Sequence, residues 1–428
     1  MRRPPNEPER HGDEAGRSEN RWAAACRMNH EKFDNLVVRL ERRFARRPAA
    51  LKLRLIGWVA LGYAAFLFWL VLLLVAGLAA FFAGAFSNTG EGILFVIIGG
   101  VLVALGAIQT LVLVGVRLEP PKGYFVSPAE APRLFAIVDE FQAATHCTIH
   151  QVLVTAELNA NVTEIPRLGV FGWPRRFLRL GLPLLEMISP DEFRSVVAHE
   201  FAHLSGEHGR FSNWIYRLRI SWQGVFQHLH TNRRTGLMAT LAWLLNRFID
   251  WYWPRFNARA FVLCRAHEYV ADAWAAEHAE GSALAQSLWR LECYSRRLKD
   301  EFWPALRQLA NSQPQPPDDI VERQRQSLTQ PALPADESRW VDQSCRSLTD
   351  HADTHPCFAA RAEALGQPID GFRRQGYPRA PDVSAAAVLF AESRGKLALA
   401  VSQEWQQEVA LDWWAAMFVR AHWLDGLK

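Results

Sequence analysis

Two histidines and a glutamate carry the chemistry that this 428-residue chain could perform. His199 and His203 stand four residues apart, so on a helix both imidazoles project from one face and can hold one zinc ion. Glu200 follows the first histidine, about 100° further round the helix, where its carboxylate can reach a metal-bound water without binding the metal. A proton acceptor beside an activated water indicates a hydrolase.

The residues before the motif predict the helix that must carry it. Ser189, Pro190 and Glu192 stand where an N-cap, a first helical residue and the third residue of a capping box belong. Apolar residues then recur at spacings of three and four, namely Phe193, Val196, Val197, Phe201 and Leu204. The pattern predicts a packed amphipathic helix. The alternative is a core helix with two hydrogen-bonded histidines, and Glu200 at the base position counts against it.

A hydrolytic zinc site needs a third protein ligand and an open position for water. His208 follows His203 by five residues, whereas the metzincin pattern has its third histidine six residues after the second. Glu268 is the other candidate, on a stretch from about 257 to 278 with a helical pattern that ends at Gly281. His267 beside it would point about 100° away, so only one of the two can face the metal.

Two later segments resemble a known family, the integral-membrane gluzincins that include the HtpX-type quality-control proteases and the CAAX prenyl endopeptidases. Residues 268–272 read Glu-Tyr-Val-Ala-Asp, which is similar to the second signature of that family. Residues 354–356 read Thr-His-Pro and, with Arg361, are similar to its third element. The resemblance covers roughly residues 125–366. It favours Glu268 as the third ligand.

The resemblance implies a metal site and a base. His199, His203 and Glu268 would bind one Zn²⁺ per chain, and Glu200 would take a proton from the water that the metal activates. The substrates would be polypeptides, cleaved at a peptide bond.

Three more residues receive roles from the resemblance. His355 would face the oxyanion that develops on the peptide carbonyl, although a loop histidine before a helix is the alternative, since Pro356 suits a first turn. Asp272 would pair with Arg361 or orient a zinc-bound histidine. Arg361 would then be structural.

A strand at 151–155 and the segment after it are expected to form the substrate side of the cleft. Asn159, Ala160 and Asn161 resemble the edge-strand segment of the family, beside which an extended peptide could pair. Asn161 departs from the family, in which an aromatic residue often stands there. An ordinary edge strand is the alternative.

Two uncharged apolar runs, at 55–90 and 92–116, precede the motif. Each exceeds the roughly 18–20 residues that a helix needs to cross a bilayer. The sequence therefore predicts a two-helix transmembrane hairpin at 51–118, with spans of about 55–84 and 92–116. The first run starts too far from Met1 for a cleavable signal peptide.

Basic residues flank this hairpin on both sides, and the loop between the runs holds only Glu91. Those beside the hairpin are Lys32, Arg39, Arg42, Arg43, Arg46, Arg47, Lys52, Arg54, Arg117 and Lys122. The positive-inside rule then predicts a multi-pass protein of a bacterial-type inner membrane with a cytoplasmic catalytic domain. The net charge of +4 is concentrated near the lipid, and no nucleic-acid motif accompanies it.

The expected fold is mainly α with a small β-sheet, the α+β arrangement of a gluzincin catalytic domain, plus the transmembrane hairpin. We expect a disordered basic N-terminus at 1–50, a metalloprotease core at 125–310, a linker at 311–340 and a C-terminal part at 341–428. The stretch between the two predicted metal-binding helices is rich in tryptophan and arginine, and its segment Leu237 to Trp253 could lie at the headgroup boundary or cover the catalytic core. The family has further membrane spans in that place.

The sequence predicts a membrane-anchored zinc metalloendopeptidase that cleaves polypeptides at the cytoplasmic face. By resemblance, its substrates would be misfolded or surplus membrane proteins. A specific processing protease of the same class is one alternative, and a membrane-tethered scaffold without turnover is another, against which Glu200 counts. No pattern in the chain indicates an oligomeric state.

Overall fold

The computed structural model describes residues 30–44, 47–87, 90–115, 120–168, 171–205, 211, 214–219, 222, 237–349 and 355–425. Most of these residues are helical, and four strands form one small mixed sheet. This confirms the predicted mainly α fold with a small sheet.

The first three helices of the described residues are α1 (His30–Phe44), α2 (Pro48–Ala85) and α3 (Gly92–Gly115). α2 is long and apolar enough to cross a membrane, and Gly92–Ala104 of α3 is a shorter apolar stretch. The two helices pack closely, because a Cβ atom on Gly99 would lie 2.5 Å from the carbonyl oxygen of Gly77. One helix in the described part of the chain thus passes the length test, and the two-span hairpin stays a prediction.

The expectation of a disordered N-terminus at 1–50 is wrong for residues 30–44. Val37, Leu40 and Phe44 recur at helical spacing and are buried, so α1 has an apolar face that it covers by packing on a later helix, α7 (Leu237–His278). Residues 1–29 lie outside the described part.

The sheet consists of β1 (Tyr124–Val126), β2 (Gln151–Thr155), β3 (Ala160–Leu168) and β4 (Phe171–Gly181), in the order β1-β2-β4-β3. β2 runs parallel to β4, while the β1–β2 and β3–β4 pairs are antiparallel. β3 therefore forms one edge of the sheet, next to the motif helix α6 (Pro190–Ala202). This edge is the one on which the predicted substrate segment lies.

Further α-helices of the described residues pack on α6, on α7 or on neighbouring elements. They are α4 (Pro132–Thr145), α5 (Leu182–Met187), α8 (Gly281–Arg297), α9 (Trp303–Leu309), α10 (Ile320–Thr329), α11 (Pro334–Arg346), α12 (Phe358–Ala364), α13 (Ile369–Gln375), α14 (Ala385–Phe390) and α15 (Arg394–Asp425). The predicted linker at 311–340 is corrected here, because α10 and part of α11 lie within it. Apolar residues at 320, 321 and 328 are buried, and Pro334 takes the first position of α11.

Within the described residues, the buried apolar side chains form two clusters. One fills the space between the sheet, α6, α8 and the C-terminal helices. The other joins α1 and α2 to the first half of α7, where Tyr252 donates a hydrogen bond of 2.7 Å to the Trp58 carbonyl of α2. The second half of 237–253 thus packs on the apolar helix α2, not on the catalytic core.

The start of α6 is fixed as the sequence predicts. Ser189 Oγ accepts from the Glu192 backbone N–H at 3.2 Å, and the Ser189 N–H donates to the Glu192 carboxylate at 2.7 Å.

We expect Ser189→Ala to lower the free energy of unfolding by about 1 kcal/mol, measured by chemical denaturation of the full chain in detergent. Ser312→Ala, at an exposed site, is the matched control with an expected change within about 0.5 kcal/mol. Equal effects of the two variants would contradict the capping role.

Candidate metal centre and active site

The two histidines of the motif face each other at the C-terminal end of α6. Phe193, Val197 and Phe201 are fully buried and hold this helix against the core. His203 is the C-cap residue with helical φ and ψ angles of −61° and −24°, so the four-residue spacing still places it over His199. The two Nε2 atoms are 3.1 Å apart.

Glu268 approaches the same point from α7. Its Oε1 lies 3.4 Å from His203 Nε2, and its Oε2 lies 3.6 Å from His199 Nε2. One ligand atom from each of the three residues lies within 4.8 Å of the other two. The structure thus brings together the three side chains that the sequence proposes as ligands.

The chemistry of this group fits a metal ion. Glu268 Oε2 is buried and has no hydrogen-bond partner in the described part of the chain. Arg361 Nη1 lies 3.7 Å from this oxygen, within ion-pair distance but too far for a hydrogen bond. A buried carboxylate oxygen without a hydrogen bond costs free energy, and a cation between it and two imidazole nitrogens removes that cost. Two histidines and one glutamate are a known ligand set for catalytic zinc, which leaves a fourth position open.

The pKa values of the three groups diverge because they share one buried site. Burial and the charge of Arg361 would lower the pKa of His199, but its contacts with the carboxylates of Asp272 and Glu268 raise this pKa to about 9. Burial lowers the pKa of His203 to about 4. Although burial would raise the pKa of Glu268, the neighbouring histidine charges hold it well below its usual value. A proton on His199 would therefore compete with a cation, and metal binding would release it.

Asp272 contacts the Nδ1 side of the His199 ring, and Arg361 in turn binds Asp272. Asp272 Oδ1 lies 2.9 Å from His199 Nδ1, and Arg361 of α12 donates two hydrogen bonds of 2.6 and 2.9 Å to the Asp272 carboxylate. All three side chains are buried. Both contacts that the sequence offers as alternatives for Asp272 are therefore present, and together they fix the orientation of the His199 ring.

Asp272→Asn is expected to reduce zinc affinity by about 10- to 100-fold, because the weaker acceptor no longer orients the His199 ring. The affinity is measured by competition with a coloured chelator. Asp370→Asn, at an exposed position on α13, is the control and should leave the affinity unchanged. An unchanged affinity in the Asp272 variant would show that this carboxylate only stabilises the fold.

Glu200 points toward the edge strand. Its Oε2 accepts a hydrogen bond of 3.0 Å from the backbone N–H of Val162 on β3. Burial raises the pKa of Glu200, which brings this carboxyl closer to the range of a general base at neutral pH. Sequence reasoning missed Val162, because a backbone N–H donor leaves no signal in the residue type.

The predicted substrate segment lies at the start of β3. Asn159 caps it through its own side chain, which accepts from the Ala160 N–H at 2.8 Å. Since Val162 turns its N–H to Glu200, Asn161 turns its backbone groups to β4, where it pairs with Arg179. The backbone groups of Ala160 and Val162 therefore face the outer edge of the sheet beside α6, where the N–H of Ala160 donates to Asn159 and the N–H of Val162 donates to Glu200.

His355 also reaches the centre. It stands before α12, with its side chain 55% exposed and its Nε2 3.7 Å from Glu268 Oε1. His267 is buried on α7 but is not part of the three-residue group. His208, the other candidate ligand, lies outside the described residues.

A His-His-Glu group with a second glutamate beside it is the arrangement of a metallopeptidase. Comparison with known proteins agrees with this class. The model for peptidase family M48 matches residues 133–369, more than half of the chain, and the chain belongs to this family. The predicted HtpX-type metallopeptidase family is thereby confirmed.

One curated relative is the "Protease HtpX homolog" of Methanothermobacter thermautotrophicus (strain Delta H), which is 26% identical over 182 residues. The match covers 39% of this chain and 62% of the relative, so the chain spans less than two thirds of the length of that protein. No solved structure matches the chain significantly.

Proposed function

We propose that this protein is a membrane-anchored zinc metalloendopeptidase that cleaves polypeptides at the cytoplasmic face of the membrane. The observation that carries the proposal is the meeting of His199, His203 and Glu268 at one point, with Glu200 beside them on the same helix. A scaffold without turnover would have no use for a general base at that position.

Zinc held by these three side chains would acidify a water molecule and polarise the peptide carbonyl. Glu200 accepts the proton of the attacking water and passes it to the nitrogen of the leaving amine. The hydrogen bond from Val162 holds the Glu200 carboxylate in place for this transfer. His355, which is half-exposed next to Glu268, donates to the oxygen of the peptide carbonyl as negative charge develops there.

The substrate is an extended polypeptide that pairs with β3. The N–H groups of Ala160 and Val162 are held by Asn159 and Glu200, so the carbonyl groups of these two residues would accept hydrogen bonds from the main chain of the substrate, with Asn159 and Asn161 fixing the start of the strand. Main-chain pairing tolerates many sequences, which suits an enzyme that removes misfolded or surplus membrane proteins.

The membrane anchor is the hairpin of α2 and α3. α2 has the length and composition of a span, α3 packs along it through Gly77 and Gly99, and basic residues flank both ends. The positive-inside rule then places the catalytic domain in the cytoplasm. Digestion by added protease in inside-out vesicles, and resistance in right-side-out vesicles, is the expected result. The reverse result would overturn the orientation.

Hydrolysis of an unfolded protein by the purified full chain, in detergent and in lipid, tests the activity. We expect cleavage at many sites, loss of cleavage on zinc chelation, and recovery when zinc returns. A few cuts in one sequence context would indicate a specific processing protease instead. Bound zinc without hydrolysis of any unfolded polypeptide would overturn the enzymatic proposal in favour of the scaffold.

A further inference from the structure

The β3–β4 hairpin carries an exposed aromatic residue between two arginines. Trp173 is 86% exposed, the most exposed aromatic side chain in the described part of the chain. Arg167 and Arg175 beside it are exposed, and neither has an ion-pair partner among the described residues. We call Arg167, Trp173 and Arg175 the basic tip.

The β3–β4 hairpin is connected to the apolar helix α2 through contacts with an intermediate segment. Glu164 of β3 is nearly buried and pairs with both Arg176 of β4 and Arg217, which belongs to the helical residues 214–219. Further along that segment, Trp222 packs against Gly62 and contacts the ring of Tyr63, with ring centroids 5.3 Å apart. The ion pairs of Glu164 thus connect the hairpin to the segment that lies against α2.

We infer that the basic tip binds the surface of an anionic bilayer, with Trp173 in the headgroup region and Arg167 and Arg175 on lipid phosphates. This inference rests on the proposed anchoring by α2. Tryptophan favours the membrane–water interface because its ring is apolar and its N–H is polar, and arginine is attracted to anionic lipid. The basic tip contains no acidic side chain, so its positive charge complements the negative charge of an anionic bilayer.

The consequence for function concerns the substrate. The strand that ends at the basic tip is the one whose Val162 N–H donates to Glu200. A tip resting on the bilayer would hold the substrate-binding edge of β3 at the membrane surface. The class of substrate that this position fits is a polypeptide segment emerging from the bilayer, so the tip would raise cleavage of membrane-tethered substrates more than that of soluble ones.

Fluorescence quenching in nanodiscs tests the inference. An environment-sensitive fluorescent amino acid replaces Trp173 in one protein, Phe68 of α2 in a second and Leu333 in a third. Phe68 is 68% exposed on the proposed span, and Leu333 is 71% exposed before α11, a helix that packs on α8. Nitroxide-labelled lipids in discs of phosphatidylcholine and phosphatidylglycerol should quench positions 173 and 68 but not position 333.

Charge reversal gives the second readout. Arg167→Glu and Arg175→Glu should each reduce the membrane-bound fraction of the tip by about fivefold, and removal of phosphatidylglycerol should act in the same direction. Their hydrolysis of a soluble peptide should be unchanged. Quenching at 68 with none at 173 would overturn the inference and leave the membrane anchor intact. No quenching at 68 would overturn the anchor itself, and this inference with it.

Discussion

Glu200→Gln is expected to lower the rate of peptide hydrolysis by about 10²- to 10⁴-fold while the protein keeps its zinc. The amide has nearly the shape of the carboxylate and can still accept the hydrogen bond from Val162 N–H, which is 3.0 Å long in the wild type. It cannot take a proton from water at neutral pH. The loss should therefore fall on kcat, and the zinc content per chain should stay at the wild-type level.

Glu277→Gln is the matched control, since Glu277 is exposed on α7, outside the His-His-Glu group. Rates are compared on an unfolded polypeptide, and zinc is measured by mass spectrometry of the purified chains. Loss of zinc in the Glu200 variant would mean that this carboxylate is a ligand. Full activity with full zinc would mean that another group serves as the base.

Local patterns predicted the two histidines and the candidate base because these three residues lie on, or at the end of, one strongly patterned helix. The capping box at Ser189 fixed the start of α6, and the four-residue spacing fixed the relation of His199 to His203. Glu268 could be proposed from 65 residues away only through the resemblance of the segment around it. No periodicity could have shown that α7 crosses α6 at that point, because this contact depends on long-range packing.

Packing between distant segments also explains what the sequence did not reveal. The apolar face of α1 is readable in Val37, Leu40 and Phe44, but the charged, proline-containing residues 1–20 led to a prediction of disorder for the whole N-terminus. Burial of this face needs the surface of α7, to which Arg265 adds an ion pair with Glu41 at 2.7 Å. Tertiary contact thus supplied the stability that local propensity did not indicate.

The same helix links the two buried clusters of the molecule. Tyr252, in the first half of α7, packs against α2, and about four turns later the same helix presents Glu268 to the histidines. A single helix therefore spans the distance from the proposed membrane anchor to the candidate metal centre. The ligand is positioned by the packing of α1 and α2 as well as by the catalytic core.

Glu268→Ala is expected to reduce zinc affinity by more than the roughly 10- to 100-fold that loss of an outer partner causes, because it removes one of three protein ligands. The fold should tolerate the change. Glu268 Oε2 has no hydrogen-bond partner in the described part of the chain, and Arg361 keeps its two bonds to Asp272. Zinc content after dialysis against a weak chelator, together with circular dichroism, measures both expectations.

His208→Ala separates this ligand set from the other one that the sequence allowed. With Glu268 as the third ligand, the His208 variant should retain zinc and hydrolysis at the wild-type level, while Glu268→Ala loses both. Retention of zinc by Glu268→Ala and its loss from His208→Ala would move the third ligand to the segment after α6. The meeting of Glu268 with the two imidazoles, at 3.4 and 3.6 Å, would then have to reflect packing alone.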